Sequence, residues 1–239
     1  MLDLGAGPGR YSIWLAEPGH RVTLAELSPR LLEIARGHIA AAGVGDQIEA
    51  AVEADARDLS RRKDGAFDAA LVLGPFYHLP DPAGRDRAAA ELARVLRPGG
   101  LAFVALMPRL AFLRRVLALP AERHLLTQPG FVERILGDGV FLNERSGAFT
   151  GGYGVRPEEV ASFFAHHGLT QRALLASESI ASSSDLQERL AGLAASDPTA
   201  FETTLDLLVR TAAEPSILGK SSHLLFVGAK DGALLGYAA

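Results

Sequence analysis

Leu2-Asp3-Leu4-Gly5-Ala6-Gly7-Pro8-Gly9-Arg10 decides how the rest of the chain is read: a short apolar run, three glycines at alternate positions, and the first residue of a helix-period stretch. Backbone without Cβ atoms turns sharply there and lets a ligand approach the main chain closely. A dinucleotide fingerprint needs G-x-G-x-x-G, and the third residue after Gly7 is Arg10, so the spacing disfavours NAD and FAD. No Lys-Ser/Thr pair follows the loop, which excludes a nucleoside-triphosphate P-loop.

Outward from this loop, short apolar runs alternate with helix-period stretches, the βαβα rhythm of a parallel sheet covered on both faces. Strands are expected at residues 1–4, 21–26, 47–54, 67–73 and 100–106, and helices at 10–16, 29–42 and 85–96. Ser28 is placed as an N-cap with Pro29 at the first helical position, and Gly43 ends that helix. Leu96-Arg97-Pro98-Gly99-Gly100 reads as a turn that closes the third helix and starts the next strand. Beyond Met107 the rhythm changes. Residues 108–154 are read as an insertion above the sheet rather than a second core, with two Arg-rich turns and a Gly-rich loop over 146–154. Regularity returns with a helix at 157–167, a strand at 171–178, a helical pair over 185–213 and a strand at 223–229. A small apolar tail, residues 231–239, is expected to fray.

Composition bounds the function. The 239 residues are 48% hydrophobic and 22% charged, ordinary for a globular protein, and a formal charge of −4 gives no bulk attraction to a phosphate backbone. No apolar run approaches the roughly 18 residues that cross a bilayer, and the first residues have no signal-peptide pattern. Cysteine is absent, which removes disulfides, thiolate zinc sites and thiol catalysis and fits a cytoplasmic location. Around the loop, Glu26 ends the second strand, where a carboxylate can accept both hydroxyls of a ribose. Asp55 follows the third strand, where it can accept from an exocyclic amine. The fourth strand runs through Leu73 into Gly74-Pro75-Phe76-Tyr77-His78-Leu79.

Taken in order, Asp3-Leu4-Gly5-Ala6-Gly7-Pro8-Gly9, Glu26, Asp55-Ala56, the segment 73–79 and Leu96-Arg97-Pro98-Gly99-Gly100-Leu101 resemble the class I S-adenosylmethionine-dependent methyltransferases. The likeness is specific over residues 1–106 and looser over 155–230. It implies an α/β fold: a doubly wound, Rossmann-like, seven-stranded, mostly parallel sheet with the last strand antiparallel, helices on both faces and an inserted lid. One domain is expected, with a cofactor-binding core at 1–107, the lid at 108–154, the rest of the sheet at 155–230 and then the tail. The resemblance implies that Gly5, Gly7 and Gly9, with Asp3 beside them, cradle the methionine part of S-adenosylmethionine. It further implies that Glu26 binds ribose, that Asp55 and the Ala56 backbone meet adenine, and that the Leu73 carbonyl holds the amino group. Related chains carry a few dozen residues before the glycine loop, whereas Met1 here lies inside the first strand. The expectation is therefore a shortened start, with cover from upstream residues, from the insertion or from the second subunit of a homodimer.

The implied chemistry is methyl transfer to an oxygen, nitrogen or carbon nucleophile of a small molecule, driven mainly by positioning in a dry pocket. A base is needed when the acceptor arrives protonated, and His78, in the loop after the fourth strand, is the candidate because imidazole titrates in the right range. Phe76 and Tyr77 are expected to shape the acceptor pocket. His166 and His167 sit at a helix end, His223 starts a strand without a visible partner, and His20 and His124 lie in turns. No histidine pair has metal-ligand spacing, so no metal is expected. The Arg114-Arg115 and Arg61-Arg62-Lys63 clusters read as solvated faces. A non-catalytic S-adenosylmethionine-binding protein or degenerate subunit is the main alternative. An RNA methyltransferase is disfavoured by the mild acidity and by Gly74-Pro75-Phe76-Tyr77 where an Asn/Asp-Pro-Pro-Tyr run would stand.

Overall fold

In the computed structural model, which describes residues 1–143 and 151–232, β1 (Leu2–Leu4) is buried at every position and has a partner on each side. After it come α1 (Arg10–Ala16), β2 (Val22–Glu26), α2 (Pro29–Ala42), β3 (Ile48–Glu53), β4 (Phe67–Val72), α3 (Pro82–Val95) and β5 (Leu96–Pro108). Then follow α4 (Arg109–Ala118), α5 (Phe131–Asp138), β6 (Val140–Leu142), β7 (Gly151–Val155) and α6 (Pro157–His166). The chain continues with β8 (Leu169–Ala176), α7 (Ser184–Ser196), α8 (Pro198–Thr211), α9 (Pro215–Leu218) and β9 (Leu224–Lys230). Contacts group them into two compact units. Among the described residues, the first holds Met1–Ala105, Ala161–Arg172 and those from Val227 to Gly232; the second holds those within Leu106–Val160 and Ala173–Phe226.

In the first unit β1 pairs in parallel with β2 (Leu2 with Thr23 through Leu4 with Ala25) and with β4 (Leu2 with Ala70, Asp3 with Leu71). β3 lies beyond β2 and β5 beyond β4, giving the order β3-β2-β1-β4-β5. The chain thus winds outward from β1 in one direction and returns to the other side of it, which puts a switch point beside β1. Open α/β sheets bind ligands at such points. Leu32, Ala35 and Ile39, at helical spacing on α2, join Leu15, Ala16, Val22 and Leu24 in one buried cluster. Ser28 Oγ accepts from the Leu31 N–H at 3.4 Å, and Gly43 closes α2 at φ 70°, so the ends of this helix are those expected.

The 96–100 segment is a bulge inside β5, not a turn before it. Leu96 already pairs with Phe67, and Leu101 pairs with Ala69, so four residues loop out against one. Gly99 supplies φ 76°, and a Cβ on Gly100 would meet the Arg97 carbonyl oxygen at 2.8 Å. The sheet is mostly parallel with its last strands antiparallel, and β9 pairs with β5 and β8. It has nine strands among the described residues rather than seven, because the segment read as a lid contributes β6 and β7.

That segment also has a core of its own. Phe112, Val116, Leu125, Phe131, Ile135 and Phe141 form one buried cluster in the second unit, with Phe112 and Phe141 stacked at 5.0 Å. β7 pairs in parallel with the end of β5 and antiparallel with β6. Arg109, 6% exposed, donates to the Leu136 and Gly137 carbonyls at the end of α5 and faces Glu159 at 3.5 Å. Arg114 and Arg115 are not a solvated face. Arg114 donates to the Lys220 carbonyl and Ser222 Oγ, and Arg115 grips the buried Glu122 carboxylate through two bonds of 2.9 and 2.7 Å. The Gly-rich loop expected at 146–154 is β7 from Gly151 onward; its earlier residues, and the tail from 233, lie outside the described residues. Among the described residues no helix is long and apolar enough to cross a membrane.

Candidate functional site

A cavity of about 670 Å³ opens at the switch point of the first unit, a size suited to a cofactor. Its walls come from the segment after β1, the end of β2, the segment after β3 and the loop after β4. They include Asp3, Gly5, Gly7, Glu26, Asp55, Ala56, Leu73, Tyr77 and His78, so these residues from four separate stretches of sequence meet in one place.

The glycine loop is built by β1 running into left-handed backbone: Gly5, Gly7 and Gly9 have φ of 72, 55 and 85°. The Gly5 and Ala6 N–H groups donate to the Ala25 carbonyl of β2, which fixes the turn to the sheet. A Cβ on Gly5 would strike the Pro75 ring at 2.6 Å, whereas one on Gly7 would meet nothing within 4 Å. Gly7 is therefore the open face of the loop. Gly9 does not line the cavity; its missing Cβ lets α2 approach, since the built atom would lie 3.0 Å from Ala35 Cβ.

Glu26, 8% exposed, accepts from the Gly7 N–H at 2.8 Å on one oxygen and the Ser28 N–H at 2.9 Å on the other. It ties the glycine loop to the end of β2 and keeps acceptor capacity on both oxygens. Asp3 is 2% exposed and accepts from Ser12 Oγ at 2.6 Å. Burial raises its pKa to about 6, against the lowering effect of the Ser12 bond, and the Glu26 charge adds to the rise. Asp55 is held below the usual carboxylate range chiefly by Arg57, whose guanidinium grips both carboxylate oxygens. Tyr77 Oη donates to the Leu73 carbonyl at 2.9 Å, and burial raises the Tyr77 pKa. His78 lies 4.8 Å from the Tyr77 ring, and burial lowers its pKa, which favours the neutral imidazole.

Phe76 is the exception among the pocket residues read from the sequence. It is 2% exposed, absent from the cavity wall, and packed edge-on against Phe163 and Phe164 of α6 at 6.4 and 5.5 Å. Arg57, Tyr11 and Leu31 line the cavity without having been picked out in the sequence. Arg57 alone carried a signal, a cation two residues after a candidate carboxylate. In the second unit, His223 has a partner that the sequence hid: its Nδ1 lies 3.0 Å from Glu178. Burial raises the Glu178 pKa, but bonds from His223 and Ser221 outweigh it and hold the carboxyl at about 2. Among the described residues no group of three or more His, Cys, Asp or Glu could hold a metal ion.

Comparison with known proteins bears on this geometry. A family model described as a methyltransferase domain matches residues 1–100, which contain all of the cavity-lining segments. Over those hundred residues the chain is similar to a methyltransferase domain. The chain is 31% identical over 169 residues to a ubiquinone biosynthesis O-methyltransferase of Xylella fastidiosa, covering 71% of this chain and 60% of that protein. It thus spans about 60% of the length of this curated relative. In fold, it resembles a SAM-dependent methyltransferase from Methanosarcina mazei, with a TM-score of 0.63 and 18% identity over 97% of this chain and 92% of that one. It also resembles the 1,6-didemethyltoxoflavin-N1-methyltransferase of Burkholderia thailandensis, solved with S-adenosylhomocysteine. There the TM-score is 0.56, with 17% identity over 96% of this chain and 70% of that one.

The residues present suit the cofactor of such a domain. The open face at Gly7 leaves room for a chain against the backbone, Glu26 retains lone pairs for a diol, and the cavity volume accommodates a nucleoside with an amino-acid arm.

Proposed function

We propose that the protein transfers a methyl group from S-adenosylmethionine to a nucleophile of a small molecule, with a hydroxyl oxygen favoured over nitrogen or carbon. The observation that carries this reading is the convergence of the open glycine loop, Glu26, Asp55 and the Leu73 carbonyl on one cavity at the switch point. Support for oxygen comes from the relatives in Xylella fastidiosa and Xanthomonas axonopodis, which are named ubiquinone biosynthesis O-methyltransferases. A small acceptor rather than a nucleic acid accords with the net charge of −4.

When bound, S-adenosylmethionine supplies a methyl group already activated by its sulfonium. The chain's part is then to hold the acceptor in line, exclude water and receive a proton. Gly5 and Gly7, with Asp3 beside them, would hold the methionine arm, Glu26 the ribose hydroxyls, Asp55 and the Ala56 backbone the adenine edge, and the Leu73 carbonyl the amino group. His78, kept neutral by burial, would take the acceptor's hydroxyl proton on an imidazole nitrogen.

Incubation with labelled S-adenosylmethionine and a panel of phenolic and other small acceptors tests the reading. Acceptor-dependent formation of S-adenosylhomocysteine is expected; tight cofactor binding with no turnover on any acceptor would instead make the protein a binding module. Glu26→Ala is expected to weaken S-adenosylhomocysteine binding by roughly ten- to a hundredfold, the value of charge-assisted hydrogen bonds of about 1.5–3 kcal/mol. Calorimetric titration reads this directly, and an unchanged affinity removes Glu26 from the site. For His78→Ala the expected result is a fall in kcat with cofactor affinity preserved. The wild-type kcat should also decline as pH drops through a value below the usual histidine range, an inflection that the variant loses. An unaltered rate and profile would leave His78 as packing.

A further inference from the structure

The carbonyl and carboxylate acceptors of the cavity differ in how much room they keep for a ligand. Each Glu26 oxygen receives one backbone N–H, and the Leu73 carbonyl, with two lone pairs, receives the Tyr77 hydroxyl. Asp55 is different: a single residue directs three N–H groups at its two oxygens. The Arg57 backbone N–H and Nε reach Oδ1 at 2.8 and 2.9 Å, and Nε and a terminal guanidinium nitrogen reach Oδ2 at 3.1 and 2.5 Å. A carboxylate offers about four lone-pair sites, and three N–H hydrogens, the Nε one shared between both oxygens, already point at them, so an incoming amine must compete with Arg57 for Asp55. The pair lines the cavity yet is partly solvated, with side chains 42% and 28% exposed, so it is a weak lock rather than a structural bridge. Arg57 also has somewhere to go. Its side chain runs beside Gly84 at the start of α3, whose N-cap is Asp81, a carboxylate close enough to act on the Arg57 charge.

We propose that Arg57 is a latch on Asp55: it occupies the carboxylate in the empty site, yields it to the exocyclic amine of the bound nucleoside by moving toward Asp81, and speeds release of the nucleoside product by taking Asp55 back. This inference rests on the cofactor reading given above and adds a residue that sets affinity and release without touching the transferred group. Arg57 competes with the ligand, so removing its side chain strengthens binding. The effect is confined to ligands that carry the amine, because a purine with hydrogen in its place leaves the latch closed.

The test compares wild type, Arg57→Ala and Arg57→Ala/Asp55→Ala by calorimetry and stopped-flow dissociation. The probes are S-adenosylhomocysteine and its analogue lacking the purine amino group, with melting curves to show that all three proteins are folded. Arg57→Ala is expected to bind S-adenosylhomocysteine roughly two- to fivefold more tightly, with slower dissociation, the size of a partly exposed ion pair. The analogue should bind equally to wild type and variant, and the double variant should lose the gain. Rising salt should narrow the difference between wild type and Arg57→Ala, because it weakens the pair that has to open. Weaker binding of both ligands by Arg57→Ala would mean that the guanidinium itself contacts the ligand, and overturns the latch. Unchanged affinity in Arg57→Ala, with wild type binding normally, overturns the latch and leaves the cofactor reading intact. Absence of binding in every protein overturns both.

Discussion

Replacing Gly139 by alanine is expected to destabilise the protein by about 3 kcal/mol. Gly139 ends α5 at φ 72°, where any other L-residue is strained. An added Cβ would also lie 2.2 Å from the Gly154 carbonyl oxygen and 3.0 Å from Arg109 Nε. The neighbouring backbone cannot yield cheaply: the Gly154 N–H donates to the Gly139 carbonyl at 2.7 Å, and Arg109 is pinned to the Leu136 and Gly137 carbonyls at 3.0 and 2.8 Å. Urea denaturation of the variant against Gly137→Ala is the measurement. A Cβ at Gly137 meets nothing within 4 Å, so that substitution within α5 should be neutral or slightly stabilising. Equal midpoints for the two variants would show that β6 and β7 move apart at little cost.

Why the sequence shows no second core in this region follows from what local sequence carries. The ends of α1 and α2 were legible because their signals lie within a few residues of the ends: Gly9 before Arg10, Ser28 with Pro29, and Gly43. The second cluster was legible in part. Phe112 with Val116 and Phe131 with Ile135 repeat at four residues, but their common partner Phe141 comes from β6, and no local rule pairs two amphipathic helices with a three-residue strand. Arg97-Pro98-Gly99-Gly100 has turn chemistry, and the chain does loop out there, as a bulge. What the sequence hides is that the strand has already begun at Leu96, because the bulge is defined by register against Phe67 and Ala69 on β4.

The candidate site shows the same division. Glu26 and Asp55 stand out because strand-end positions are set by strand length, which the apolar runs give, whereas Leu73 is singled out by the family resemblance. Phe76 and Tyr77 are adjacent and aromatic, and only the packing separates them: one meets Phe163 and Phe164, nearly ninety residues on, and the other lines the cavity. Gly9 shares its spacing with Gly5 and Gly7, yet the contact that requires it is with Ala35, across a helix pair. The two-oxygen grip of Arg57 on Asp55 depends on side-chain geometry, to which spacing is blind.

Asp3→Asn, in the cavity wall, is expected to change stability by an amount that depends on pH. The carboxyl is 2% exposed, and burial raises its pKa from 3.8 to about 6. Below pH 4 it is protonated in both folded and unfolded chains, and burial costs it little. Between pH 4 and 6 the folded chain keeps a proton that the unfolded chain releases, so stability from this group is lost as pH rises. Above pH 6 both forms are ionised and the folded chain bears the full difference, about 3 kcal/mol. Asparagine has no such proton, and its carbonyl oxygen can still accept from Ser12 Oγ. The variant should therefore match wild type near pH 4 and exceed it by up to about 3 kcal/mol at pH 8, read as the difference between their urea denaturation curves. A difference that does not change with pH would mean that Asp3 ionises as freely in the folded chain as in the unfolded one. A carboxylate that costs the fold this much, beside Glu26 in the cavity wall, is explained if its charge serves a cationic ligand. Asp3→Asn should then lose affinity for S-adenosylmethionine, which carries a sulfonium, more than for the neutral-sulfur S-adenosylhomocysteine. Added stability together with that selective loss identifies Asp3 as a ligand-facing charge, whereas added stability with both affinities intact makes it only the anchor of Ser12.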